Sequence, residues 1–170
     1  SHILLVMADG AFRNYLRKAL SRYFQISALE DPDLLKDTVV RQNPDAIIID
    51  DNVNGTNGDT LSFRIKTDKM IGYIPVVLLI RAFDNESYLS HFGSGADRLE
   101  LRTESICRLR ANIRMLVENR MVLRERVKLF LSDAVFPMVP TKEEMETENT
   151  DQIFMDKVNK ILEKNISTDK

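Results

Sequence analysis

Few side chains in this chain of 170 residues combine a reactive type with a useful position. Asp50 and Asp51 close the apolar run Ala46-Ile47-Ile48-Ile49, and Asp9 follows Ile3-Leu4-Leu5-Val6 at a short distance. Arg81 stands just past the run Pro75 to Ile80, and Arg102 just past Asp97 to Leu101. Aspartates offer oxygen ligands to a hard cation, and a guanidinium matches a carboxylate through two parallel hydrogen bonds. Other chemistries lack their parts. A lone cysteine, Cys107, excludes an internal disulfide and a cysteine-based zinc cluster, and reads as a small packing residue. His2 and His91 are far apart in sequence, which argues against a histidine metal site; His91 lies among polar residues and reads as a surface side chain. Asn54 to Gly58 has no lysine-bearing glycine pattern, so a phosphate-cradling loop is absent. The methionines are scattered and form no cofactor box.

Five short apolar runs must position these residues. Ile3 to Val6, Ala46 to Ile49 and Pro75 to Ile80 are continuous and rich in branched aliphatics, as strands covered on both faces are. Phe24 to Ala28 and Asp97 to Leu101 alternate, which suits more exposed strands. Between them the period turns helical. Phe12, Leu16, Ala19, Leu20 and Tyr23 share one face, with Asp9 placed as cap. Asp31-Pro32 opens a second helix with the stripe Leu34, Leu35, Thr38 and Val39, stopped by Asn43-Pro44. Leu61, Ile65 and Met70 mark a third, and Tyr88, Leu89 and Phe92 a fourth, ended by Gly93-Ser94-Gly95. This alternation predicts a doubly wound α/β fold with five parallel strands, whose function lies at the carboxyl ends of the strands.

From Glu104 to Leu131 the pattern is one unbroken helix, with Ile106, Leu109, Ile113, Leu116, Leu123, Val127 and Phe130 stepping by three and four. Arg120 takes the remaining place in that stripe. A domain of this size needs only the first half, so Ile113, Leu116, Arg120, Leu123, Val127 and Phe130 are expected to serve a partner helix or a stiff connector. Arg120 in the seam favours a loose homodimer over a tight coiled coil. The helix is basic, and a solvated or dimer-flanking face explains that better than nucleic-acid binding. Pro137, Pro140 and the acidic stretch Lys142 to Asp151 read as linker, before a last amphipathic stripe of Ile153, Phe154, Val158, Ile161 and Leu162. The expected organisation is a domain at 1–118, a helical extension at 119–131, a linker at 132–151 and a truncated second domain at 152–170.

Charge and hydropathy narrow the classes. With 24 Lys+Arg against 26 Asp+Glu, the net charge of −2 argues against a whole-chain grip on nucleic acid. No apolar run approaches the roughly 18 residues of a membrane span, and no signal-peptide pattern opens the chain, so a cytoplasmic location is expected.

Pro44-Asp45-Ala46-Ile47-Ile48-Ile49-Asp50, Gly58 eight residues on, Ile74-Pro75-Val76-Val77-Leu78-Leu79 and Gly95-Ala96-Asp97 follow in a definite order. Over residues 3–118 the chain resembles the receiver domain of bacterial two-component signalling. Glu118-Asn119-Arg120 and the helix from Phe154 to Ile166 are similar to receivers within hybrid histidine kinases, where an AraC-type DNA-binding domain follows. The resemblance implies phosphoryl transfer from a histidine to Asp50, which needs Mg²⁺ held by two further acids, a lysine and a Ser/Thr hydroxyl. Here the acidic pair falls on Met7 and Ala8, the hydroxyl position is Ile80, and the aromatic switch position is Leu99. The lysine-proline pair is replaced by Arg102-Thr103. Asp9 and Asp51 are each one residue out of place, and Mg²⁺ demands near-ideal octahedral placement, so no cofactor is expected. Two cations remain beside an aspartate without its metal, and Arg102 or Arg81 is expected to pair with Asp50.

The implied role is a degenerate receiver, itself no enzyme, relaying a signal from a histidine kinase part of the same or a cognate protein to a downstream DNA-binding domain. Phosphoacceptance at Asp50 is expected to be weak or lost. Two alternatives stay open: a receiver still phosphorylated by its own kinase, and a flavodoxin-like cofactor-binding or enzymatic domain. The fragment is expected to touch neither nucleic acid nor membrane.

Overall fold

The structure, a computed structural model, describes residues 1–82, 91–135 and Lys160. The chain divides into two units, Ser1–Val122 and Leu123–Lys170. In the first, the continuous aliphatic runs become β1 (His2–Val6), β3 (Ala46–Asp50) and β6 (Val76–Ile80), with β2 (Gln25–Leu29) and β7 (Arg98–Leu101) at the edges. The order is β2-β1-β3-β6-β7, and every neighbouring pair is parallel. Alternation of side chains across the sheet divides the core in two. Ile3, Leu5, Ile48, Val77 and Leu79 meet Leu16 and Leu20 of α1 (Gly10–Leu20) and Leu109, Ile113 and Val117 of the long α4 (Ile106–Val135). Leu4, Val6, Ile47, Ile49 and Leu78 meet Leu35 and Val39 of α2 (Leu35–Gln42) and Leu61 and Ile65 of α3 (Gly58–Thr67). Both faces are covered, which is why these strands alternate so little in sequence. Among the described residues, no helix is long and apolar enough to cross a membrane.

Local chemistry sets the ends. Asp9 caps α1 through its side chain, and a 3₁₀ turn at Pro32–Leu34, capped by Asp31, leads into α2. Asn43, in the left-handed region at φ 44°, ends α2 ahead of Pro44. The alternating strands begin one residue later than the alternation predicts, at Gln25 and Arg98. Leu34 and Met70 leave their expected stripes: Leu34 is in the 3₁₀ turn, Met70 lies beyond the end of α3, and both are exposed. Tyr23, past the end of α1, is exposed beneath the Arg110 guanidinium, 4.3 Å from its ring centroid. Residues 91–93 are helical, with Phe92 exposed, while Tyr88 and Leu89 lie outside the described residues. So do the linker from 136 and the stripe from Ile153 to Leu162, save Lys160.

The long helix corrects two expectations about its stripe. Ile113 is fully buried and so is not left for a partner, and Leu116, half-buried, packs against the same cluster. Arg120 is buried as well, only 8% exposed. Its Nη1 donates to the carbonyls of Pro44 and Asp45, 2.9 Å to each, and its guanidinium lies 4.8 Å from the Tyr73 ring centroid. A long side chain can bury its stem and still deliver its charge to polar atoms, here the two carbonyls that lead into β3. Leu123, Val127 and Phe130 are exposed. Replacing Arg120 by Ala leaves both carbonyls without this donor, and urea unfolding should show a loss of about 2–4 kcal/mol. A midpoint unchanged from wild type would contradict that role.

Candidate functional site

Asp9, Asp50, Asp51, Arg81 and Arg102 all lie at the carboxyl ends of the strands or shortly after them. Asp50 is the last residue of β3, where the strand order turns from β1 on one side to β6 on the other. It is 2% exposed, and its Oδ1 accepts the Asp51 N–H at 3.1 Å. Arg102 follows β7, and its backbone N–H donates to Ile80 O at 2.8 Å, which fixes where its side chain starts. From there Nη2 donates to Asp9 Oδ2 at 2.9 Å, and Nε lies 3.5 Å from Asp50 Oδ1. The guanidinium also stacks over Phe12, 4.2 Å from the ring centroid. Arg81 goes elsewhere: its Nε pairs with Asp51 Oδ2 at 3.0 Å. Its start one strand away brings it to the more exposed neighbour, so the choice of Arg81 as partner for Asp50 is corrected.

The positions without acids are apolar in fact as well as in type. Met7 is fully buried in the α1/α4 side of the core, and Ala8 is half-buried. Ile80 is buried and Leu99 packs against the α2/α3 side. Asp9 uses both oxygens, Oδ1 accepting the Phe12 N–H at 3.0 Å and Oδ2 facing Arg102. Among the described residues no group of three or more His, Cys, Asp or Glu is placed to hold a metal ion.

Burial pushes the Asp50 carboxyl up to about 6, with Arg102 opposing the rise and the Asp51 charge adding to it. Asp9 is held below its ordinary value by the Phe12 N–H and then by Arg102. Two adjoining features are absent from the reading of the sequence above. Asn54-Gly55, both at positive φ (49° and 84°), turns the hairpin β4 (Asn52–Val53) to β5 (Thr56–Asn57), and the Asn-Gly pair is the signal that could have found it. Gly58, next in the chain, donates its N–H to Asp51 O at 2.8 Å; a Cβ there would press into the Asp50 carbonyl oxygen and lie 2.8 Å from Leu78 Cδ1. His91 is not a surface side chain: its Nδ1 is 2.8 Å from Asp59 Oδ1, and both side chains are largely covered. Asp59 lies in the first turn of α3, an acidic place that gives the imidazole a partner. Cys107, read as a packing residue, is exposed on α4.

No family model matches the chain, and no curated protein does. Solved structures do match. The signal receiver domain of a signal transduction histidine kinase from Syntrophus aciditrophicus superposes with a TM-score of 0.65 at 21% identity, over 69% of this chain and 90% of that one. The BeF3-activated N-terminal receiver domain of Klebsiella pneumoniae RstA gives 0.62 at 20%, over 69% and 98%. A two-component response regulator from Clostridium difficile gives 0.62 at 18%, over 69% and 96%. This is the receiver fold. The matched share agrees with the extent of the first unit, and the five-stranded parallel sheet anticipated from the sequence is the one observed.

Within that receiver fold Asp50 is a carboxylate kept in an apolar floor. The folded carboxyl holds its proton up to about pH 6, the unfolded one only to about 4. The folded state therefore binds more protons between those values. Stability from Asp50 is greatest below pH 4 and falls as pH rises through 6. Asp50→Asn should abolish that fall and leave the domain about 1–3 kcal/mol more stable than wild type at pH 7.5. Urea unfolding from pH 4 to 8 checks it; equal pH slopes in the two proteins would refute it.

Proposed function

We propose that the chain is a receiver-derived signalling module in which Asp50 does not work as a phosphoacceptor. The observation that carries the reading is the surroundings of Asp50: a buried carboxylate with Arg102 at 3.5 Å, Met7 and Ala8 where acids are needed, and Ile80 where a hydroxyl is needed. Phosphoryl transfer is mostly a matter of placing and neutralising charge. Mg²⁺ does not suit this donor set, because Met7 and Ala8 bring no oxygen and Asp9 and Asp51 each face an arginine. Ile80 has no hydroxyl with which to hold a phosphoryl oxygen.

The module then relays or holds a conformational state between a histidine kinase part, in the same or a cognate protein, and a downstream transcription-regulating domain of AraC type. Support comes from the fold, from the neighbour described as the receiver of a signal transduction histidine kinase, and from the motif likeness at Glu118-Asn119-Arg120. Intact mass after incubation with acetyl phosphate and MgCl₂ should be unchanged for wild type and for Asp50→Asn. A gain of one phosphoryl group in wild type alone would overturn the reading.

A second copy of the chain is the partner we propose for the later part of α4. Leu123, Val127 and Phe130 are all exposed and repeat at the spacing of a two-helix seam. Sedimentation equilibrium should find a dimer that Leu123→Asp with Val127→Asp dissociates. A wild-type monomer at high concentration would count against it.

A further inference from the structure

We infer that Arg102 is a built-in counter-cation of the site: one guanidinium ties Asp50 to Asp9 and makes the domain's folding indifferent to divalent metal. The inference rests on the reading of Asp50 given above and adds what replaces the lost machinery.

Three observations carry it. The first is placement from both ends. The Arg102 backbone is bonded to Ile80 O at 2.8 Å, and its guanidinium is laid over Phe12 at 4.2 Å, with only 17% of the side chain exposed. Such a side chain is ordered before any ion arrives. The second is that Arg102 meets two carboxylates from different elements, Asp9 at the start of α1 and Asp50 at the end of β3. Each also accepts a backbone N–H, Asp9 from Phe12 and Asp50 from Asp51. The third is the composition of the site. Among the described residues three carboxylates, Asp9, Asp50 and Asp51, face two guanidiniums, Arg102 and Arg81, so most of their negative charge is already balanced.

A metal supplied from solution can be diluted or chelated, and a guanidinium cannot. Arginine also keeps its charge at every physiological pH. A divalent cation entering here would have to displace a fixed charge and find octahedral oxygens that Met7 and Ala8 do not have. The clamp therefore joins α1, β3 and β7 permanently, where a metal-dependent site would join them on demand. Nothing in this requires Asp50 to react.

Thermal unfolding of the whole chain in EDTA, in millimolar MgCl₂ and in NaCl of equal ionic strength tests it. Wild type should melt at one temperature in all three. Arg102→Gln should melt several degrees lower in EDTA, and MgCl₂ but not NaCl should restore part of the loss, because two carboxylates are now free to share a cation. Asp9→Asn keeps an N-cap but removes one anion; it should lower the midpoint and gain no response to Mg²⁺. A wild-type midpoint raised by Mg²⁺ would overturn the inference, and so would Arg102→Gln melting with wild type. Should Arg102→Gln not fold, the wild-type titration and Asp9→Asn still decide. The readout needs no phosphodonor: Mg²⁺ stabilisation without phosphorylation sinks this inference alone, whereas phosphorylation of Asp50 sinks the reading beneath it.

Discussion

The arrangement depends on one costly choice, a carboxylate buried at the end of the central strand. Asp50 closes β3, a strand with no exposed residue, and the cost of desolvation is visible in a carboxyl pushed up to about 6. Neighbouring strands cannot relieve that cost, because β1 and β6 are as apolar as β3. Relief must come from the loops that follow the strands, and there the chain supplies the Arg102 and Arg81 guanidiniums and the Asp51 N–H. The topology makes this possible. A parallel sheet brings the carboxyl ends of all its strands to one edge, and β1 and β6 flank β3 there.

Charge is then sorted by burial. The covered guanidinium, Arg102, goes to the covered carboxylate and to the helix cap, while the exposed Arg81 goes to Asp51. With Arg81 exposed, the Arg81–Asp51 pair is open to solvent on one side and worth little, and the covered one is worth more because less solvent screens it. Phe12 adds to the difference by offering its ring face to Arg102 and shielding one side of it. Asp9 has two tasks, as cap of α1 and as anion for Arg102, and each lowers its proton affinity. The N-cap, a purely local device, has thereby become part of a contact spanning 93 positions of sequence.

That separation marks what sequence could reveal and what it could not. The strands β1, β3 and β6 are legible because burial on both faces leaves only aliphatics, and the cap at Asp9 is legible because helix starts draw on few residue types. The edge strands β2 and β7 slipped by one residue, since a half-exposed strand mixes polar and apolar types and blurs its own ends. Site positions could be placed at strand ends, but the partner of each charge could not. Arg81 and Arg102 look alike in sequence, and only the distance from each strand end to Asp50 or Asp51 separates them. His91 is hidden for a similar reason: its polar neighbours in sequence say nothing of Asp59, 32 residues away.

The long helix extends this lesson to a whole surface. Its apolar stripe runs through Leu109 and Ile113, both buried, and Leu116, packed against the same core, and on through Leu123, Val127 and Phe130, all exposed. Periodicity is the same throughout, so a stripe tells which side of a helix wants cover without telling what provides it. Arg120 shows how local the answer is. As a charge inside an apolar stripe it reads as a weak point in a helix pair, yet it is buried because two carbonyls ahead of β3 accept its guanidinium. The carbonyls belong to Pro44 and Asp45, which lead into the strand that ends in Asp50. Arg120 at the entrance of β3 and Arg102 at its exit thus hold the two ends of the same strand, one through backbone oxygens and the other through a carboxylate. A buried strand with no polar side chain before its last residue has no other purchase for charge than its ends.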